Sequence, residues 1–231
     1  ASSTTKGIVL FLALTALLSL PFWIISSVTE ELALPLLLAP MVAAMITRYI
    51  FQRNVRNLGW KMMKSDLHPR WWGWSNTRYL ALGWVLPPFI AIVVYGVTWI
   101  AVADSFSNED SAVDVLISFL SIGSGLVLFL SVLAIGEEVG WRGFLFPELL
   151  KKTNFLTASI IGGVVWGLWH FPLIIFAPEV FDFGELPLLF ALPMFTLIFI
   201  PVSAVLGWLQ MKTGSVWPAV IAHGSHNALT L

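Results

Sequence analysis

Long apolar stretches alternate with short clusters of charge along this chain. Gly7–Thr29, Tyr79–Ala103, Val115–Gly136, Thr153–Pro178, Leu186–Met211 and Thr213–Leu231 each run 19 to 26 residues without an Asp, Glu, Lys or Arg. A helix rises about 1.5 Å per residue, so each stretch can cross a hydrocarbon core about 30 Å thick. Leu32–Thr47 is shorter and holds Pro35 and Pro40. It either kinks or runs on past Arg48 through Tyr49, Ile50 and Phe51. The pattern predicts about seven transmembrane helices. The first stretch is longer than the apolar part of a usual signal peptide, and no small-residue cleavage site clearly follows it, so a retained helix is expected there.

Composition points the same way. Of 231 residues, 58% are hydrophobic and only 11% charged, where soluble domains run near ~45–50% and ~25%. A soluble protein of this size could not hide so much apolar surface in one core. The expected fold class is therefore all-α, a polytopic integral membrane helix bundle, with residues 1–231 forming one membrane-embedded domain. Cysteine is absent, which excludes disulfides, thiolate metal sites and a cysteine nucleophile.

Net charge is only −1, but its distribution orients the chain. Arg48, Arg53, Arg56, Lys61, Lys64, Arg70 and Arg78 are seven of the twelve basic residues and fall in one connection, about 48–78, with Asp66 its single acid. Lys151–Lys152 and Lys212 mark two more basic turns. Glu30–Glu31, the Asp104–Asp114 turn and the Glu179–Glu185 turn hold only acids. Basic and acidic connections alternate, as the positive-inside rule requires. The N-terminus and the basic loop are expected on the cytoplasmic side of a cell membrane, the C-terminus opposite. Trp60, Trp71, Trp72 and Trp74 in that loop suit the headgroup region of the bilayer. Nucleic acid is not an expected partner, because base-stacking platforms do not belong beside a bilayer.

Against this background the polar residues inside the spans stand out. An ionisable group there costs roughly 2.5–3.5 kcal/mol or more, which makes each one a functional candidate. Glu137, Glu138 and Arg142 fall in the fourth span, His170 in the fifth, and His223, His226 and Asn227 in the seventh. Counted from the nearest cytoplasmic turns, Glu137, His170 and His223 lie about 21, 20 and 15 Å deep at the helical rise. Gly140, Gly143 and Pro147 could end or bend the fourth helix early and make the site shallower.

Spacing sorts the roles. Glu138 and Arg142 are i,i+4 with the acid first, the favoured order for a helix ion pair, and read as structural support. Glu137 is rotated about 100° from Glu138 and has Gly140 and Trp141 where a neutralising cation would stand. It is free to face a cavity and act as a general base on water, with His170 holding the same water. His223 and Asn227 share a face and can both donate to a developing oxyanion. His226 reads as structural, and Trp166 and Trp169 as packing.

Three segments resemble the motifs of the family of CAAX proteases and bacteriocin-processing enzymes (CPBP), which includes the type II CAAX prenyl endopeptidases. Glu137-Glu138-Val139-Gly140-Trp141-Arg142 matches E-E-x-x-x-R. Trp166-Gly167-Leu168-Trp169-His170 is similar to F-x-x-x-H, with Trp166 in place of Phe, and His223-Gly224-Ser225-His226-Asn227 fits H-x-x-x-N. The similarity covers a core of about 115–231. It implies a glutamate-dependent intramembrane endopeptidase, with Glu137 activating water, His170 holding it, and His223 and Asn227 forming the oxyanion site. Glu138 and Arg142 would support the first motif. The implied partners are the lipid bilayer and a peptide or protein substrate, including one prenylated at its C-terminus.

No cofactor is expected, although His170, His223 and Glu137 would resemble a His₂Glu zinc site. The chain lacks H-E-x-x-H, and a carboxylate held by Arg142 makes a poor ligand. A zinc-dependent protease, and a non-catalytic scaffold or immunity-type protein of the same fold, are the competing readings. A proton-coupled transporter is a third, but no inverted repeat or pair of broken helices points to it. Whether Trp166 narrows the pocket beside His170 or repacks it is open from sequence.

Overall fold

The structure is a computed structural model, described for residues 3–60, 74–101, 125–181, 183–184 and 186–229. Helix α1 spans Ser3–Thr29, and a 3₁₀ turn at Leu34–Leu38 leads into α2, Ala39–Gln52. Helix α3 is Trp74–Ala101 and α4 is Val127–Gly140. A π turn, Trp141–Leu145, joins α4 to α5, Phe146–Leu150. Then follow α6, Phe155–Phe176, α7, Leu188–Thr213, and α8, Trp217–Asn227. No strand occurs among the described residues.

Among the described residues five helical stretches are long and apolar enough to cross a membrane: Ser3–Thr29, Leu34–Gln52, Thr77–Thr98, Phe155–Phe176 and Leu188–Thr213. The chain is a multi-pass membrane protein. The second stretch does both things its sequence allowed: it starts as a proline-led 3₁₀ turn and continues as helix past Arg48 to Gln52. The expected fourth span is described only from Gly125, and the Asp104–Asp114 turn and Trp71–Trp72 lie outside the described residues. The last expected span forms a helix of 11 residues, roughly 16 Å long and about half the hydrocarbon thickness. It ends inside the bundle, packed on α3 and α4.

The helices are inside-out relative to a soluble bundle. The buried stripe of α1 is Gly7, Phe11, Thr15, Ser19 and Ser26, mostly small or hydroxyl-bearing residues at helical spacing. Val9, Leu17, Ile24 and Val28 face outward, exposed. Lipid tails are as apolar as leucine, so association rests on close approach and inter-helix hydrogen bonds rather than on apolar burial. Trp169 Nε1–H donates to Ser19 Oγ at 2.8 Å, tying α6 to α1.

Close approach also sets where α4 lies. A Cβ on Gly140 would stand 2.6 Å from the Pro40 carbonyl carbon, and one on Gly224 would stand 2.5 Å from the Ser131 nitrogen. Glycine at these two points lets α2 and α8 seat directly on α4. Local signals fix other ends. Asn154 caps α6 by accepting the Thr157 N–H at 2.9 Å, an N-cap role that asparagine fills well. Gly214 ends α7 at φ 65°, the left-handed closure that releases the chain into α8.

Candidate active site

The acidic pair sits at the end of α4, where the helix widens. Gly140, Gly143 and Pro147 do not break it; the π turn at Trp141–Leu145 carries it through to α5. Such single-turn π segments often mark functional positions. Glu137, Glu138 and Arg142 are all buried.

Arg142 Nη1 donates to Glu138 Oε1 at 3.0 Å, the i,i+4 pair that spacing predicts. The same Oε1 lies 2.8 Å from His223 Nδ1, on α8. Glu138 thus ties α8 to α4, 85 positions apart in the chain. Glu138 Oε2 and Arg142 Nη2 are buried without a hydrogen-bond partner among the described residues.

Glu137, which has no cation one turn along its own helix, finds a partner on another helix. Trp166 Nε1–H, on α6, donates to Glu137 Oε2 at 2.6 Å. The Arg142 guanidinium lies over the Trp166 ring, 4.0 Å from its centroid. The His223 ring meets the same indole edge-on at 5.1 Å. Trp166, read from sequence as packing, is the hub that joins α4, α6 and α8. Its indole N–H and its place in the His170 motif were the signals available, but a partner 29 residues away is invisible to local spacing.

His170 lies one turn beyond Trp166. Its Nδ1 stands 2.9 Å from the Trp166 carbonyl. A carbonyl only accepts, so Nδ1 carries the proton and Nε2 keeps the lone pair. Aromatic rings surround it, with Trp169 at 4.9 Å, Phe199 at 5.0 Å, Phe195 at 5.4 Å and Phe181 at 5.7 Å. Of the predicted site residues, Glu137, Glu138, Arg142, His170 and His223 form one cluster with Trp166. Asn227, the last residue of α8, is half-buried one turn beyond His223, and His226 is also half-buried.

The hydrogen bonds set a condition on one proposed role. A neutral His223 that donates from Nδ1 to Glu138 has a lone pair on Nε2 and cannot also donate there. Donation to an oxyanion from Nε2 requires the imidazolium, whose counter-charge is the Glu138 carboxylate. Glu138 Oε1 already takes Arg142 and His223, Glu137 Oε2 takes Trp166, and among the described residues no three His, Asp or Glu side chains are grouped to hold a metal.

Fold and site together define a multi-pass, all-helical membrane protein that gathers its ionisable groups inside the bundle. Residues 119–229, just under half of the chain, match the family described as type II CAAX prenyl endopeptidase Rce1-like. A relative from Methanococcus maripaludis, "CAAX prenyl protease 2", is 37% identical over 103 residues. That stretch covers 42% of this chain and 36% of the relative, so the chain spans about a third of the length of the curated protein it matches.

Proposed function

We propose that this protein is an intramembrane endopeptidase in which Glu137 is the base that activates water. The observation that carries the reading is one buried cluster in which Glu138 from α4 meets His223 from α8 while Glu137 meets Trp166 from α6, one turn from His170. The match of residues 119–229 to the Rce1-like family supports it, and the relative's name points to peptides that end in a prenylated CAAX sequence.

Glu137 Oε1 takes a proton from water while His170 Nε2 accepts the water's other hydrogen bond. The hydroxide adds to the scissile carbonyl carbon, and the carbonyl electrons move onto oxygen. Asn227 and the His223 imidazolium donate to that oxyanion. As the tetrahedral intermediate collapses, the C–N bond breaks and the proton on Glu137 passes to the leaving amine. Glu138 aims His223 through its Nδ1, and Arg142 fixes Glu138. No resident cofactor is part of the reaction, and full activity after exhaustive chelation is the result that fits. The N-terminus and the basic loop face the cytoplasm, so the substrate's C-terminal segment is taken from that leaflet.

The direct test is cleavage in proteoliposomes of farnesylated and unprenylated peptides by wild type and by Glu137→Gln. Wild type is expected to cleave and Glu137→Gln to be inactive while still folded. An active Glu137→Gln protein overturns the assignment.

A further inference from the structure

We infer that Trp166 is a positioning residue for the base, holding the Glu137 carboxylate by one oxygen so that the other meets water. This rests on the endopeptidase reading above. The indole N–H reaches Glu137 Oε2 at 2.6 Å, a short hydrogen bond for an N–H donor. A carboxylate on a three-bond side chain otherwise rotates about its terminal torsion, which has broad minima. One fixed donor removes that freedom and leaves Oε1 as the reacting oxygen.

The indole is itself immobilised. Arg142 covers its face at 4.0 Å, Phe199 packs edge-on at 4.4 Å and His223 at 5.1 Å, and the side chain is buried. A cation over the π face withdraws electron density from the ring and sharpens the N–H as a donor. Arg142 therefore acts on both acids, on Glu138 through a salt bridge and on Glu137 through the indole. The motif that this segment resembles has Phe at this position, which offers the same packing but no N–H. A Phe can fill the space; only the Trp can hold the carboxylate.

The test separates shape from hydrogen bonding. Trp166 is replaced by benzothienylalanine, which keeps the bicyclic shape and lacks the N–H, and by Phe in Trp166→Phe. Both are assayed in proteoliposomes with the farnesylated peptide. In parallel the Trp166 indole N–H resonance, assigned by its loss in Trp166→Phe, is followed in wild type and Glu137→Gln. The expected result is a drop in kcat of about tenfold or more in both Trp166 variants with KM unchanged, and an upfield move of the indole proton in Glu137→Gln. A packing role alone would leave the benzothienyl protein at wild-type kcat. That outcome, or an indole proton indifferent to Glu137→Gln, overturns the positioning role while wild-type cleavage stands. A wild type inactive on both peptides overturns the endopeptidase reading, and this role with it.

Discussion

Removing the Glu138 carboxylate should cost far more stability than losing one surface charge. Glu138 is fully buried, and its Oε1 serves two partners, Arg142 Nη1 at 3.0 Å and His223 Nδ1 at 2.8 Å. Glu138→Leu keeps the volume and leaves the buried Arg142 guanidinium without its acceptor. Truncating one member of a buried pair costs about 3–5 kcal/mol, because the remaining charge stays desolvated. The cation–π contact with Trp166 exists before and after and offsets none of the loss. Replacing both partners, in Glu138→Leu with Arg142→Met, removes the stranded charge and should recover at least half of that loss. Neither variant should cleave substrate, since His223 has lost the carboxylate that aims it. Thermal unfolding in one detergent, checked by an equilibrium unfolding method, measures all three proteins. A single-variant loss below about 1 kcal/mol, the range of exposed pairs, would mean that the pair stands in water. A double variant no more stable than the single one would refute charge burial as the source.

Two further expectations concern packing and orientation. Gly224→Val puts a side chain against Ser131, so it should lower stability by about 1–3 kcal/mol and abolish cleavage by lifting His223 off Glu138. Gly96→Val, where a Cβ meets nothing within 4 Å, should change neither, and unfolding and cleavage measured on the same preparations decide it. The chain has no native cysteine, so Arg56→Cys and Glu179→Cys, both at exposed positions, can be labelled singly with an impermeant maleimide. Label should reach Arg56→Cys from the cytoplasmic side and Glu179→Cys from the other; labelling of both from one side sinks the proposed orientation.

Much of the fold was legible along the chain. Charge-free runs gave away the long helices because a bilayer tolerates few other sequences, and Asn154 and Gly214 announced two helix ends by local backbone chemistry alone. The short last helix was less legible. Apolar length reports what could span, whereas the close seat of Gly224 on Ser131 reports where α8 goes. The π turn was hidden as well, since Gly140, Gly143 and Pro147 read locally as breakers.

For the site, sequence by itself determined the membership: acids, base and histidines where lipid penalises them, and Glu138 with Arg142 at a spacing that one helix turn enforces. Tertiary structure alone decided the pairing. His223 meets Glu138 and Trp166 meets Glu137 across three helices, and the acceptors facing Nδ1 of His170 and of His223 put a proton on that nitrogen in both rings. Periodicity carries information about neighbours within one or two turns of a helix. Which side chains share a low-dielectric hollow depends on how closely glycine and serine faces let separate helices approach, and that is a property of the packed bundle.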